Sequence, residues 1–446
     1  MNKSLNSAII LAAGNGSRLK SSTPKVFHKV GGLSLLDHVI HNVLDAGIGD
    51  ITVVLKPEYE NPEIEFIDKA IVAYQSIQKG SGDAVKCALQ NPANRSNEGW
   101  VYILYADIPL ISSETLLAWS DVAETCEKTA VVVLAMDSTN SNALGKLEPA
   151  SSVGTIKGII EAKDATKFDN TIPLCNAGLL VRKDVLQKLI GEIKPSPVTW
   201  EFYITEIVRL AHEAGYVCRY YEANVSELSG VNTRQELSVL EGYFQDKMRE
   251  KHMNNGVTLV APETVFFSFD TVIENDVVID PFVVFGRNVH IKSGSHINSF
   301  CVVEGAKIEN AAVGPFARLR PGTYINEKAK IGNFVEIKNS TIHEKAKVNH
   351  LSYIGDSEIG KNTNVGAGTI TCNYDGFNKH KTNIGENVFI GSNSAIVAPV
   401  KICDNAMVAA GSVITKNVDF GALALSRVPQ KNIEHGSIKF IKKCRQ

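Results

Sequence analysis

The stretch Leu11-Ala-Ala-Gly-Asn-Gly-Ser-Arg-Leu-Lys20, followed closely by Thr23-Pro-Lys25, combines small residues with spaced cations. It continues an apolar run, Ser7–Ala13, that reads as a buried strand. Small residues after a strand let backbone N–H groups approach phosphate oxygens closely. Arg18 and Lys25 supply the positive charge that a polyphosphate needs. The spacing of a Walker A loop is absent, and Gly14-x-Gly16 lacks the further glycine of a dinucleotide fingerprint. Gly14-x-Gly16 alone is equally what an uncharged tight turn requires; Arg18 and Pro24-Lys25 at these spacings make the stretch specific. A second group with chemical capacity is His350, in Asn349-His-Leu-Ser-Tyr353. Imidazole titrates near ~6.5 and can accept a proton near neutral pH. A lone histidine in a repetitive stretch also serves as a hydrogen-bonded bystander.

Two different kinds of chain must position these groups. The first ~230 residues alternate short β-rich runs (Ser7–Ala13, Ile51–Leu55, Trp100–Tyr105) with helical patterns such as Leu36–Ala46. This alternation predicts an α/β domain with a largely parallel sheet covered on both faces. Ligands bind such sheets at the carboxyl ends of strands, which singles out the loops after Ala12 and Tyr105. Thr233 and Glu236 then have capping-box spacing, and Leu237, Leu240, Phe244 and Met248 form one apolar stripe. Asn254, Asn255 and Gly256 end that pattern, so a helix of about six turns is predicted.

From Val272 to Thr415 the apolar residues recur at every sixth position, as in Ile273, Ile279, Phe285, Ile291, Ile297 and Val303. Neither a helix nor a strand alone has that period. A hexapeptide β-solenoid does: each short strand buries one aliphatic residue before a corner, and each coil buries its core against the next. The phase slips between Val303 and Val313 and again between Ile337 and Val365. The largest break, between Val365 and Ile384, carries the polar segment Thr371–Lys381, too long for a corner. Such insertions hold binding groups or are plain surface loops.

At 446 residues the chain has room for two or three domains, and its composition is that of an ordinary globular protein. A net charge of −2 exerts no global pull toward nucleic acid or anionic membrane. Eight scattered cysteines without a Cys-x-x-Cys pair indicate neither a zinc ribbon nor a disulfide framework, and reduced thiols in a cytosolic protein are expected. Ala8–Ala13 is too short for a signal peptide, and no apolar run approaches the roughly 20 residues of a membrane span.

Leu11-Ala-Ala-Gly-x-Gly-Ser-Arg followed by Pro24-Lys25 resembles the signature of the sugar-nucleotide pyrophosphorylases, which join a sugar 1-phosphate to a nucleoside triphosphate. Tyr105-Ala-Asp107-Ile-Pro-Leu resembles that family's metal-binding strand end, and Gln75-Ser-Ile-Gln-Lys-Gly-Ser81-Gly its base-reading segment. Glu161-Ala-Lys-Asp, Asn176-Ala-Gly178 and Gly230-Val-Asn232 match in the same order. In the C-terminal half, Gly314–Gly322, Asn349–Tyr353, Asn364–Gly376 and Ser426–Pro429 narrow the match. Across nearly the whole chain the sequence is similar to the bacterial family of bifunctional N-acetylglucosamine-1-phosphate uridylyltransferase and glucosamine-1-phosphate N-acetyltransferases.

The resemblance implies a Rossmann-like mixed-sheet α/β nucleotidyltransferase domain over 1–232, a linker helix over 233–255 and a left-handed parallel β-helix of hexapeptide repeats over 256–446. It implies two reactions: acetyl transfer from acetyl-CoA to glucosamine 1-phosphate, then transfer of UMP from UTP to N-acetylglucosamine 1-phosphate with Mg²⁺. It implies a cytoplasmic homotrimer, with no nucleic-acid partner and no membrane span. In the first site Leu11, Ala12, Ala13 and Gly14 would lie along the nucleotide, with Arg18 and Lys25 on phosphate oxygens. Gln75, Gly80 and Ser81 would read uracil. Tyr105 and Ala106 would flank Asp107, which with Asn232 would hold the metal through hard oxygens. Gly145, Glu161 and Asn176 would bind the sugar.

In the second site His350 would be the base, since an ammonium is no nucleophile. Arg320, Lys338 and Lys379 would hold the sugar phosphate, with Glu336 behind them, and Tyr353 and Asn364 the sugar. Ala367, Asn373, Tyr374, Ser392, Ala410 and Arg427 would line the CoA groove. The sequence departs from the family pattern at Asp83, Ala106, Leu144 and Lys146, which bears on sugar contacts rather than on the reaction class. A single-activity nucleotidyltransferase with an assembling solenoid would need neither His350 nor Tyr353. A non-catalytic scaffold would need none of Lys25, Asp107 and His350. The same architecture acting on another sugar or base is compatible with Gln75.

Overall fold

Strand β1 (Ser7–Leu11) is apolar through its interior and sends alternate side chains into two different cores, Ile9 to one and Ile10 to the other. Only a central strand covered on both faces needs that composition. The chain is a computed structural model that describes residues 6–14, 16–59, 64–90, 94, 98–137, 145–164 and 171–444. It divides into two units, Met1–Phe244 and Gln245–Gln446.

In the first unit β1 is followed by α1 (Leu35–Asp45), β2 (Asp50–Leu55), β3 (Ile71–Tyr74), α2 (Ser81–Leu89), β4 (Trp100–Tyr105) and α3 (Ser113–Ala123). Then come β5 (Thr129–Asp137), the hairpin β6 (Lys146–Pro149) and β7 (Ile156–Ile160), β8 (Leu174–Arg182), α4 (Glu206–Glu213) and β9 (Val217–Glu222). The sheet order is β9-β5-β8-β4-β1-β2-β3, with the hairpin attached to β8. Strand β1 pairs parallel with β2 and β4, while β8 runs antiparallel between β4 and β5. The sheet is therefore mixed, and the loops after β1 and β4 leave from one edge of adjacent strands. Helix α5 (Arg234–Asn254) begins as predicted. Glu236 N–H donates to Thr233 Oγ1 at 3.1 Å, and Thr233 N–H donates back to Glu236 Oε2 at 3.0 Å. Leu240, Phe244 and Met248 are buried along its stripe.

The second unit is a left-handed β-helix. Its strands form three parallel sheets of eight, ten and eight strands, called faces 1, 2 and 3 in the order the chain visits them from Val272 onward. One aliphatic column fills each face. On face 2, Ile279, Ile297, Val313, Ile331, Val348, Val365, Ile390 and Val408 lie in register, all buried. Burial of such side chains contributes roughly 1.5–3 kcal/mol each relative to exposure. Many corners hold a residue at positive φ, among them Asn288, Asn310, Asn362, Asn387 and Asn405. Asparagine tolerates that left-handed conformation better than most residues. Phe282, Phe300, Phe316 and Phe334 occupy one file of corners, with ring centroids 4.8–5.1 Å apart.

The phase slips are coils of unequal length. Ile279 pairs with Ile297 eighteen residues on, but Ile297 pairs with Val313 only sixteen on. The largest break contains a strand the period did not reveal. Ile370–Cys372 pairs with Tyr353 below and Ala395–Val397 above, and fully buried Thr371 takes the core position on face 3. The inserted loop is thus 373–381, two residues shorter than expected. Threonine hid the strand because its hydroxyl breaks the aliphatic pattern. No helix among the described residues is long and apolar enough to cross a membrane.

Candidate active sites

The first site forms where β1 and β4 end side by side. Leu11 is opposite Tyr105, Ala106 N–H donates to Leu11 O at 3.1 Å, and Ala12 N–H donates to Val54 O at 2.9 Å. Ala12 and Ala13 are buried. Gly14 is exposed, and Asn15 lies outside the described residues. Gly16 sits at φ +57°, where a Cβ would lie 2.6 Å from Lys25 Cβ; glycine lets the turn close on that lysine.

Four predicted residues converge there from distant parts of the sequence. Arg18 Nη2 donates to Asn232 Oδ1 at 2.8 Å. Lys25 Nζ donates to the same oxygen at 3.2 Å and is ion-paired with Asp107 Oδ2. Val231 N–H donates to Asp107 O at 3.0 Å, and Asn232 N–H is held by Glu236 Oε2 at 2.6 Å. The capping box of α5 therefore presents Asn232 beside Asp107. One carboxylate and one amide oxygen both face a single cationic centre, here the lysine ammonium. Hard oxygen donors of this kind suit Mg²⁺, which takes one or two protein carboxylates and completes its shell with phosphate and water.

Buried Gln75 follows β3 and donates from Nε2 to Gly80 O at 3.1 Å and to Asp83 Oδ2 at 2.8 Å. Gly80, at φ +111°, packs so closely on Phe202 that a Cβ would lie 2.5 Å from its carbonyl oxygen. Ser81 Oγ accepts from Ile204 N–H at 3.0 Å. A second cluster lies under the hairpin. Asn176 N–H donates to Gly145 O at 2.9 Å, and Asn176 Nδ2 contacts the Tyr105 hydroxyl at 3.4 Å. A Cβ on Gly145 would approach Glu161 Oε2 to 3.3 Å. Burial pushes the Glu161 carboxyl above its usual range, opposed by a hydrogen bond from Thr205 Oγ1 at 2.5 Å. Burial likewise raises the Tyr105 phenol. Lys146 pairs in register with Ile160 and Cys175, while Leu144 lies outside the described residues.

The second site is built from columns on the solenoid. Asn333, His350, Ala367, Ser392 and Ala410 each stand two positions after a core residue of face 2, so they form one file up the corner between faces 2 and 3. His350 Nδ1 lies 2.6 Å from Asn333 Oδ1. Above it the file is small-sided, and Arg427 Nη1 closes it by donating to Ala410 O at 2.8 Å. A concavity of about 340 Å³ beside His350 is walled by Phe316 and Phe334.

The corner after face 3 carries the cations. Arg320 Nη1 donates to Glu336 Oε1 at 2.8 Å. Lys338 is held below the usual lysine range by its neighbour Lys379, with Arg320 adding to the effect. Behind them, buried Asp356 accepts from Asn339 Nδ2 at 2.6 Å and from Asn373 Nδ2 at 2.5 Å. Burial opposes its ionisation, yet these amides and the two lysines keep its carboxyl below the usual range. Tyr353 faces outward on face 3 between the two corners, beside buried Ile354. Asn364 instead faces outward on face 2, between Lys347 and Phe389. Tyr374 is exposed in the inserted loop and bridges to Lys379.

Four side chains that support the predicted groups had no assigned role: Asp83 on Gln75, Thr205 on Glu161, Asn333 on His350 and Asp356 on Asn373. Only Asn333 had a readable signal, its place in the hexapeptide register one coil before His350. The others depend on pairings that no local pattern announces.

Comparison with known proteins agrees with both halves. Residues 8–170 match a MobA-like NTP transferase domain, 270–305 a bacterial transferase hexapeptide of six repeats, and 381–416 a hexapeptide repeat of succinyl-transferase. "Bifunctional protein GlmU" of Zymomonas mobilis is 44% identical over 431 residues, covering 96% of this chain and 95% of that protein. The proteins of the same name from Paramagnetospirillum magneticum and Wolbachia pipientis wMel are each 42% identical. They cover 97% and 95% of this chain, and 96% and 97% of their own lengths. The chain belongs to the GlmU family of bifunctional proteins.

Proposed function

We propose that the chain makes UDP-N-acetylglucosamine in two steps, with acetyl transfer assigned to the solenoid (256–446), uridylyl transfer to the α/β domain (1–232), and 233–255 as the linker helix. The observation that carries this reading is the presence in one chain of two separate constellations. One is a cation–carboxylate–amide cluster at the ends of β1 and β4. The other is an imidazole at the foot of a small-sided column.

In acetyl transfer the amine of glucosamine 1-phosphate attacks the thioester carbonyl of acetyl-CoA. His350 takes the proton from nitrogen as the C–N bond forms; the C–S bond then breaks and CoA leaves as the thiol. Asn333 Oδ1 can only accept, so the imidazole proton sits on Nδ1 and Nε2 is the base. The sugar lies across face 3 on Tyr353, with its phosphate toward Arg320, Lys338 and Lys379. Ala367, Ser392, Ala410 and Arg427 line the CoA path, with Asn373 and Tyr374 at the opposite corner. Asn364 belongs to a different face of the same chain. A neighbouring copy in a homotrimer would bring its own Asn364 and inserted loop to this face.

In uridylyl transfer a phosphate oxygen of N-acetylglucosamine 1-phosphate attacks the α-phosphorus of UTP in line, and pyrophosphate leaves. The protein contributes position and charge. Backbone from Leu11 to Gly14 lies along the nucleotide, and Arg18 and Lys25 hold phosphate oxygens. Gln75, Gly80 and Ser81 contact uracil, and Gly145, Glu161 and Asn176 hold the sugar below Tyr105 and Ala106. Asp107 and Asn232 would hold Mg²⁺, which when bound neutralises developing phosphate charge. The proposed setting for both steps is the cytoplasm.

The deciding experiment runs two assays on the purified chain: CoA-thiol release with glucosamine 1-phosphate, and pyrophosphate release with UTP and N-acetylglucosamine 1-phosphate. His350→Ala abolishes the first and spares the second; Asp107→Ala does the reverse. A folded variant that loses both activities overturns the two-site assignment.

A further inference from the structure

We propose that Asp83 is a positioning residue that locks the Gln75 amide with its carbonyl oxygen toward the base, and so makes the first site select UTP over CTP. The proposal deepens, and rests on, the reading of that site as a uridylyltransferase.

A glutamine amide is ambidextrous: one end donates twice and the other accepts. At Gln75 both hydrogens are committed. Nε2 donates to Gly80 O at 3.1 Å and to Asp83 Oδ2 at 2.8 Å. Both partners are acceptors only. Rotating the amide by half a turn would set Oε1 against a peptide carbonyl and a carboxylate, losing two hydrogen bonds and gaining repulsion. The side chain is buried and its backbone is fixed at the end of β3, where Gln75 N–H donates to Leu55 O at 2.9 Å. Among the described residues nothing in the chain pairs with Oε1. That oxygen is the atom of the amide left for a ligand. Asp83 lies in the first turn of α2, where an acidic side chain complements the helix dipole.

The chemistry of the two pyrimidines makes this polarity decisive. Uracil carries a hydrogen on N3, between two carbonyl oxygens. Cytosine carries a lone pair on N3, beside an exocyclic amine. An oxygen facing N3 accepts from uracil but meets a lone pair in cytosine. Without the lock the amide could turn and serve either base. Thymine shares the N3–H edge, so the lock does not act against a thymine nucleotide.

The test measures pyrophosphate release by the full chain with N-acetylglucosamine 1-phosphate and either UTP or CTP, for wild type, Asp83→Ala and Asp83→Asn. The quantity read is the ratio of kcat/KM for UTP to that for CTP, which a uniform loss of folded enzyme does not move. Asp83→Ala is expected to lower the ratio at least about tenfold, through a raised KM for UTP and new turnover of CTP. Asp83→Asn falls between, because its amide can still accept but can also turn. If the alanine variant fails to fold, the near-isosteric asparagine variant decides. An unchanged ratio in the folded variants overturns the proposal. A wild-type chain that releases pyrophosphate from neither nucleotide overturns the uridylyltransferase reading instead.

Discussion

His350 and Asn333 stand one above the other on adjacent coils, with Nδ1 and Oδ1 2.6 Å apart and their backbones in parallel register. The contact fixes which ring nitrogen carries the proton. Replacing Asn333 with alanine frees the ring to rotate and change tautomer. CoA-thiol release should fall roughly ten- to a hundredfold in kcat, the usual cost of removing an orienting partner of a functional histidine. Pyrophosphate release should be unchanged. Equal loss of both activities would mean that Asn333 serves folding alone.

Glu161 and Thr205 make a similar pair in the α/β unit. The Thr205 hydroxyl opposes the effect of burial and keeps the Glu161 carboxyl lower than burial alone would leave it. Thr205→Val should therefore raise the Glu161 pKa further. The acid limb of the uridylyl-transfer pH profile should move to higher pH, and kcat/KM for N-acetylglucosamine 1-phosphate should fall roughly tenfold near neutrality. A profile that keeps its acid limb would remove Glu161 from the sugar site.

Thr371 occupies a core position that its neighbours on the column fill with isoleucine. Its Oγ1 accepts from Gly355 N–H at 2.8 Å and lies 3.3 Å from Tyr353 O. Thr371→Val keeps the shape and adds apolar surface, yet leaves the Gly355 amide buried and unpaired. The variant should lose about 1–3 kcal/mol in urea unfolding. Increased stability would show that the hydroxyl is dispensable.

His252, on α5, is buried against Phe267 with ring centroids 4.7 Å apart, and neither ring nitrogen has a hydrogen-bond partner among the described residues. Burial, aided by the Lys251 charge, lowers its pKa from 6.5 to about 4. The unfolded chain therefore binds this proton at a higher pH than the folded one. The stabilisation is complete above about pH 6.5 and is lost as pH falls toward 4, on the order of 3 kcal/mol in all. His252→Phe should flatten that part of the stability curve. Denaturant midpoints between pH 7 and 4.5 measure it, and identical slopes for both proteins would exclude His252 as the cause.

Local periodicity determined much of this protein from sequence alone. A recurrence of six, the capping pair Thr233 and Glu236, and strands apolar at every position each concern residues within a few places of one another. Hexapeptide geometry then leaves the chain little choice but to coil. The glycine turn was legible for the same reason, since Gly16 and Lys25 are close in sequence.

What only the tertiary structure decided was which distant groups meet. Lys25, Asp107 and Asn232 converge because β1 and β4 end side by side and α5 starts at their edge. His350, Ala367, Ser392 and Ala410 align because unequal coils still close in parallel register, with 25 residues between Val365 and Ile390 but 17 between Val348 and Val365. The strand around Thr371 and the Asp83–Gln75 lock were invisible to periodicity. Their hydrogen-bond partners are set by sheet pairing and by chain packing across loops, and no spacing along the sequence encodes those distances.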